Sequence, residues 1–222
     1  MRAIARGTAQ EFAAELEWDD LPIAMLDVET TGLESLTDRV IELGIVVGRR
    51  GEIIAQQNWM INPGRPINPE ASAVHGITDA DVADKPPFEA VAHEIAELLT
   101  RVVPAAYNAP FDRGFLHAEF GRVVDKPAVV PPALRKEVEW VDPLVWAREI
   151  HREEKSRTLA NVAARLGITL ENAHRASDDA QAALRVLYAL GRDPRVPKPY
   201  GAFIQEQRRL SLLHADERRR WR

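Results

Sequence analysis

The sequence predicts an α/β layered domain, and three observations carry that prediction. Three β-type runs joined by short turns open the chain: Ile23 to Leu26 continuing into Asp27-Val28-Glu29-Thr30, then Arg39 to Val47, then Ile53 to Ile61. Helical periodicity begins only later, at Phe88 (Val91, Ile95, Leu98, Leu99), with a fourth strand starting at Val102-Val103. Finally, 222 residues with 45% apolar and 28% charged side chains suit one sizeable core.

The elements follow in order. Residues 1–21 read as a helical extension, because Thr8-Ala9-Gln10-Glu11 has the form of a capping box before Phe12 and Leu16, with Trp18 packing on the core. Arg49-Arg50-Gly51-Glu52 supplies a tight turn, so the sheet starts antiparallel. Residues 62–87 read as a long Pro- and Asn-rich loop around Ala73-Val74-His75-Gly76-Ile77-Thr78. Tyr107-Asn108-Ala109-Pro110-Phe111-Asp112 turns into a helix bearing Phe115, Leu116 and Phe120, and 121–141 is irregular. Asp142-Pro143 is an N-cap followed by proline at the first helical position, opening a helix to Ile150. Ser156 opens the next, with Leu159, Val162, Ala163 and Leu166 on one face and Gly167 as its stop. A last apolar-faced helix (Ala182, Ala183, Val186, Leu187, Leu190) ends at Gly191. The chain thus divides into an extension (1–21), a main domain (22–192) and a tail (193–222) in which six of the last fifteen residues are arginine.

Composition removes several chemistries. There is no cysteine, which excludes disulfides, thiolate metal sites and cysteine nucleophiles. No apolar run is long enough to span a membrane and no signal-peptide layout opens the chain, so a cytoplasmic location without membrane contact is expected. The formal charge of −5 argues against a general nucleic-acid coat protein but not against a nuclease, in which a metal cluster concentrates carboxylates locally. No serine sits in a nucleophile elbow, and no Gly-rich phosphate loop occurs.

What remains is an acidic constellation. On a strand Asp27 and Glu29 point the same way, and two carboxylates that close repel each other unless a divalent cation lies between them. Asp112 follows where the fourth strand hands over to a helix, the position at which α/β sheets place ligand sites. In His174-Arg175-Ala176-Ser177-Asp178-Asp179, the histidine precedes a helix and Asp179 lies in its first turn. Hard ions such as Mg²⁺ or Mn²⁺ prefer carboxylate oxygens, and two of them about 3.5–4 Å apart clamp the attacking and leaving oxygens of a phosphodiester displacement. His174 titrates near neutral pH and suits the removal of a proton from the attacking water.

With these residues the chain resembles the DEDD exonuclease superfamily, in the branch with a histidine five residues before the last aspartate, and within it the 3′–5′ exonucleases related to polymerase III proofreading subunits. Five segments carry the resemblance in the family's order, over about residues 22–191: DVETTGL, VHGIT, YNAPFDRGFL, SRTLANVAARLGI and HRASDDA. The resemblance implies a ribonuclease H-like fold, with a mixed five-stranded sheet flanked by helices. It implies that Asp27, Glu29, Asp112 and Asp179 hold two Mg²⁺ or Mn²⁺ ions and that His174 is the general base. Thr30, Leu33, His75, Asn108 and Phe111 would contact the substrate, a single-stranded nucleic-acid 3′ end, and a DNA polymerase is an expected partner. Tyr107 departs from the family, which more often has histidine before the asparagine.

Simpler roles stand beside these. Asp178 suits a helix-terminus charge, Asp142 an N-cap, and His75 the ordering of its loop. Leu33 and Phe111 fit rim packing as well as base stacking. Arg208-Arg209 and Arg218-Arg219-Arg220-Trp221-Arg222 read as a solvated charged end. Two other functions fit the same residues: an exonuclease specific for RNA or short oligonucleotides, and a binding module that no longer cleaves. The second has no reason to keep four clustered carboxylates.

Overall fold

The strand on which both faces of the sheet are built is β1 (Ile23–Thr30). Its side chains alternate between two cores. Ile23 and Met25 join Trp18, Trp146 and Leu187, whereas Ala24, Leu26 and Val28 join Phe88, Ile95 and Phe115. A strand covered on both sides needs an unbroken apolar run, which Ile23 to Leu26 provides. The same alternation puts Asp27 and Glu29 on the face of Ile23 and Met25.

The computed structural model describes residues 7–123, 130–170 and 175–220, apart from the side chains of Arg218 and Arg220. His174, Trp221 and Arg222 therefore lie outside the described residues, as does the middle of the 121–141 segment. β2 (Val40–Arg49) pairs antiparallel with β1 and with β3 (Glu52–Met60). Arg50 (φ 55°) and Gly51 (φ 83°) form the two-residue turn between β2 and β3, both in the left-handed region that such hairpins require. β4 (Val103–Ala106) pairs parallel with β1, giving the order β3-β2-β1-β4.

The described sheet is mixed but has four strands rather than the five expected. Where a fifth would lie, Val141 forms a single parallel bridge with Ala105. Its N–H donates to the Pro104 carbonyl (2.9 Å), and its carbonyl accepts from Ala106 N–H (3.0 Å). Pairing goes no further because Asp142 already caps a helix and Pro143 begins it.

The helices are α1 (Pro69–His75), α2 (Asp79–Val82), α3 (Phe88–Leu98), α4 (Pro110–Arg122), α5 (Pro143–Ile150), α6 (Leu159–Arg165), α7 (Ala176–Leu190) and α8 (Tyr200–Arg220). α3 and α4 cover the core of Leu26, while α5, α7 and α8 cover that of Met25. α1 and α2 correct the reading of 62–87 as loop. Asn68 caps α1 by accepting from Glu70 N–H, Gly76 (φ 73°) ends it, and Thr78 with Asp81 forms a capping box for α2. α6 is capped by Thr158, not Ser156. No helix among the described residues is long and apolar enough to cross a membrane.

Both ends of the chain differ from expectation. Residues 8–16 form turns instead of a capped helix, followed by a 3-10 turn at Trp18–Asp20. The carbonyls a helix would use are taken by the distant α8: Gly201 N–H donates to Ala14 (2.8 Å) and Tyr200 N–H to Leu16 (2.7 Å). The segment expected to be a charged tail is largely α8, whose Tyr200, Phe203, Ile204 and Leu210 are buried. Phe203 lies 5.0 Å, ring centre to ring centre, from both Trp18 and Trp146.

The packing of α7 on the sheet depends on two glycines. Gly44 pairs with Asp27 across the β1–β2 register, and a Cβ there would overlap the backbone of Ala176 and Ser177. A Cβ on Gly48 would meet Leu184. Glycine within a strand marks such a close approach, and here it lets the first turn of α7 rest against the acidic end of β1. Gly44→Ala is therefore expected to lower stability by about 1–3 kcal/mol, the usual cost of overpacking. Urea unfolding checks this, with Gly51→Ala as a comparison whose added Cβ meets nothing and whose cost arises from its positive φ alone.

Candidate active site

The register of β1 explains how the acidic site forms. β4 stops at Ala106, opposite Leu26, so β1 runs four residues beyond its parallel neighbour. In that overhang Val28 N–H donates to Asp112 Oδ1 (3.1 Å). A carboxylate from the first turn of α4 thus stands in for the missing strand, and it is itself nearly fully buried.

On the α7 side, carboxylate oxygens of Asp27, Glu29 and Asp179 lie within 4.8 Å of one another. Asp179, not its neighbour Asp178, completes this trio. Asp112 stands outside the trio but lines the same hollow of about 320 Å³, together with Tyr107, Asn108 and Phe111. The electrostatics follow from this crowding. Burial, then the charges of Asp112, Asp179, Glu29 and Glu42, holds the Asp27 carboxyl well above the usual range. Burial, with Asp179 and Glu42, pushes Glu29 up to about 8, against a smaller opposing pull from Arg175. Asp112 is also raised well above its ordinary value, burial outweighing the backbone N–H groups that favour its charged form. Acids so placed either take up protons or share a cation. An all-oxygen donor set of this kind fits a hard divalent ion and offers nothing to a soft one.

Three supporting residues are not evident as such in the sequence. Glu42, fully buried on β2, stands opposite Glu29 in the register. Its carboxylate accepts from Asn58 Nδ2 (2.9 Å) and from Ala176 N–H (3.4 Å), and pairs with the Arg175 guanidinium (2.9 Å). It therefore ties the start of α7 to the sheet, three and four residues before Asp179. A charged residue inside the apolar run Ile41-Glu42-Leu43 was the available signal. Asp142 caps α5 through Leu144 N–H (2.9 Å), but the same carboxylate accepts from Asn108 N–H (3.0 Å) and Ala109 N–H (3.1 Å). Asn108 has φ 69°, a conformation non-glycine residues rarely adopt, and Asp142 holds it there. Gln207 of α8 in turn accepts from Asp142 N–H (2.9 Å) and donates to the Trp140 carbonyl (2.8 Å). Nothing local in the sequence marks Gln207.

The expected substrate contacts divide into two groups. Asn108 and Phe111 line the acidic hollow. Thr30 and His75 are buried and do not line it: Thr30 Oγ1 donates to Gly32 O (2.6 Å) and the Thr30 carbonyl meets His75 Nε2 (3.2 Å). His75 Nδ1 accepts from Ile77 N–H (3.1 Å), which assigns the proton to Nε2 and makes it the donor to Thr30. His75 thereby fastens the end of α1 to the end of β1. Leu33 is 80% exposed beyond that turn. Tyr107 donates its hydroxyl to the Arg157 carbonyl (2.6 Å), joining the lead-in of α6 to the hollow. His174 lies outside the described residues, but Arg175, which follows it, is the residue paired with Glu42.

Known proteins resemble this chain in sequence and in fold. Residues 24–187 match the family model RNase_T, described as Exonuclease. The chain is 31% identical over 202 residues to a PolC-type DNA polymerase III of Streptococcus pneumoniae and 33% identical over 179 residues to that of Streptococcus sanguinis. These matches cover 91% and 81% of this chain but only 13% and 12% of the polymerases. Among solved structures, exonuclease X in complex with 5′ overhanging duplex DNA aligns with a TM-score of 0.62 at 23% identity, covering 82% of this chain and 98% of that one. Escherichia coli exonuclease I in a complex with single-stranded DNA aligns at 0.67 and 22% identity, covering 79% and 42%. The chain belongs to the exonuclease family, among the DEDD-type 3′–5′ exonucleases.

Proposed function

We propose that the protein removes nucleoside 5′-monophosphates from the 3′ end of single-stranded DNA, with two Mg²⁺ or Mn²⁺ ions held by Asp27, Glu29, Asp112 and Asp179. The observation that carries this reading is the meeting of Asp27, Glu29 and Asp179 within 4.8 Å, in a hollow that Asp112 also lines. Bound there, the ions would supply the positive charge that a phosphodiester and its attacking water require. DNA is preferred over RNA because the matched polymerases and the aligned exonuclease complexes concern DNA. Those polymerases are far longer than this chain, and action beside a DNA polymerase is part of the proposal.

The chain's own residues have separate tasks. Asp27, Glu29, Asp112 and Asp179 hold the ions and fix where the scissile phosphate sits. Asn108 and Phe111, at the opening of α4, orient the terminal nucleotide beside them, with Asp142 and Gln207 keeping that turn in place. His174 takes the proton of the attacking water.

Strands labelled at the 5′ end, DNA and RNA of matched sequence, are expected to give a descending ladder with Mg²⁺ or Mn²⁺, faster for DNA, and no cleavage with chelator. Asp179→Ala should abolish most turnover and Asp178→Ala should retain it. An inactive Asp178→Ala beside an active Asp179→Ala would shift the assignment by one residue.

A second expectation concerns the metal-free protein. Because the folded-state pKa of Glu29 is raised to about 8, the native chain keeps a proton that the unfolded chain releases above about 4.5. Metal-free stability must then fall as pH rises across that window. Asp27→Asn removes one repelling charge with little change of shape. It should raise the melting temperature in chelator, most clearly toward pH 8, and shrink the upward shift produced by added Mn²⁺. Thermal melts of both proteins across this range check each statement.

A further inference from the structure

A second hollow lies on the other side of the first turn of α4. Asn108, Phe111 and Asp112 line the acidic site, whereas Ala109, Pro110 and Arg113 line this one, so one helical turn is the wall between them. It holds about 580 Å³, with room for a nucleobase, and Pro110, Trp140 and Val145 supply apolar surface. Arg113, His117 and Lys136 lie together on its polar rim. Arg113 Nη2 donates to the Lys136 carbonyl (2.9 Å), and Arg113 Nε approaches His117 Nε2 (3.5 Å). Burial, then Arg113 and Lys136, holds the His117 imidazole below its ordinary pKa.

Among the described residues, none of these three groups forms an ion pair with a carboxylate. Two carboxylates also line the hollow: Glu139 reaches instead toward Arg208 (3.9 Å), and the Asp142 carboxylate is taken up by the N–H groups of Asn108, Ala109 and Leu144. Elsewhere in the chain arginines are commonly paired, as Arg39 and Arg122 are with Glu119. In a protein of formal charge −5, Arg113 and Lys136 are two neighbouring cations without a carboxylate partner, and His117, held below its ordinary pKa, adds a neutral polar group beside them. The adjacent acidic site gives such cations a use. A strand that presents its terminal phosphodiester to four carboxylates gains from cations nearby, and Arg113 in the first turn of α4, with Lys136 beside it, supplies them next to that site.

We propose that this second hollow receives the single strand behind its terminal nucleotides, with backbone phosphates on Arg113 and Lys136 and a base against the apolar wall of Pro110 and Val145. Apolar surface beside a basic track is the combination that binds single strands without reading their sequence. The proposal rests on the exonuclease reading above and adds to it a strand-length requirement.

The test compares kcat/KM on a dinucleotide and on a strand of about twelve nucleotides with the same 3′ end, for the parent, Lys136→Ala and Arg113→Gln/Lys136→Ala. The parent should favour the longer strand. That preference should fall a fewfold in the single variant and roughly tenfold in the double, through KM of the longer strand. The slope of log(1/KM) against log salt should also shrink by about 0.7 for each phosphate no longer neutralised. Lys136 is exposed, so its single variant remains informative if removal of the Arg113–Lys136 hydrogen bond unsettles the double variant. Lys85→Ala, outside both hollows, should keep the parental preference. An unchanged preference in Lys136→Ala together with an unchanged salt slope would overturn the proposal. Failure of the parent to cleave either substrate would instead overturn the exonuclease reading itself.

Discussion

The mutual repulsion of buried carboxylates at the end of β1 is the constraint around which the rest of the molecule is arranged. Two unit charges about 4 Å apart interact by roughly 4 kcal/mol at an effective dielectric near 20, a large share of the stability of an ordinary domain. Asp27, Glu29 and Asp179 crowd one another at about this range, and Glu42 adds a fourth negative group close by. A soft scaffold would let them drift apart. Here β1 is buried on both faces, Gly44 lets α7 press close, and Glu42 fastens the start of α7 through Arg175 and Ala176. On the other flank Asp112 replaces a strand partner for Val28, and Asp142 holds the turn before it. The fold resists the repulsion, and a bound cation would convert that resistance into affinity.

The cost of this arrangement is spread far from the site. Gln207, on the C-terminal helix, bonds the backbone on both sides of Val141, where a full fifth strand would otherwise have continued. Through Asp142 this contact reaches Asn108, whose strained backbone opens the helix that carries Asp112. α8 is therefore part of the site's foundation as well as part of the core, and its buried Tyr200 and Phe203 also anchor the N-terminal segment.

Period and capping make much of this legible in the sequence. The apolar run into Asp27, the Arg50-Gly51 hairpin turn, the Asp142-Pro143 cap and the placement of Asp179 in the first turn of a helix are local signals, and the structure shows each of them. What the sequence hides depends on partners distant in the chain. Thr8 to Glu11 has the form of a capping box, yet the carbonyls that follow are claimed by α8, almost two hundred residues later. Glu42 looks like an exposed polar interruption until the register sets it opposite Glu29. Gln207 has no local pattern at all. Composition misleads in the opposite direction at 62–87, where prolines and asparagines suggest loop. There Asn68, Pro69, Gly76 and Thr78 are start and stop signals for two short helices.

The most direct test of the crowded site is the proton count on metal binding. Mn²⁺ titrated calorimetrically into the metal-free protein at pH 7, in buffers of different ionisation enthalpy, gives the number of protons released for each chain. Since Glu29 keeps its proton up to about pH 8 and Asp27 is raised as well, ions that join these carboxylates must displace protons. The expected result is binding with net release of roughly one proton or more, increasing as the pH is lowered toward 6. Binding without proton release, or with the same heat in every buffer, would contradict the claim that these carboxylates are crowded into one cation site.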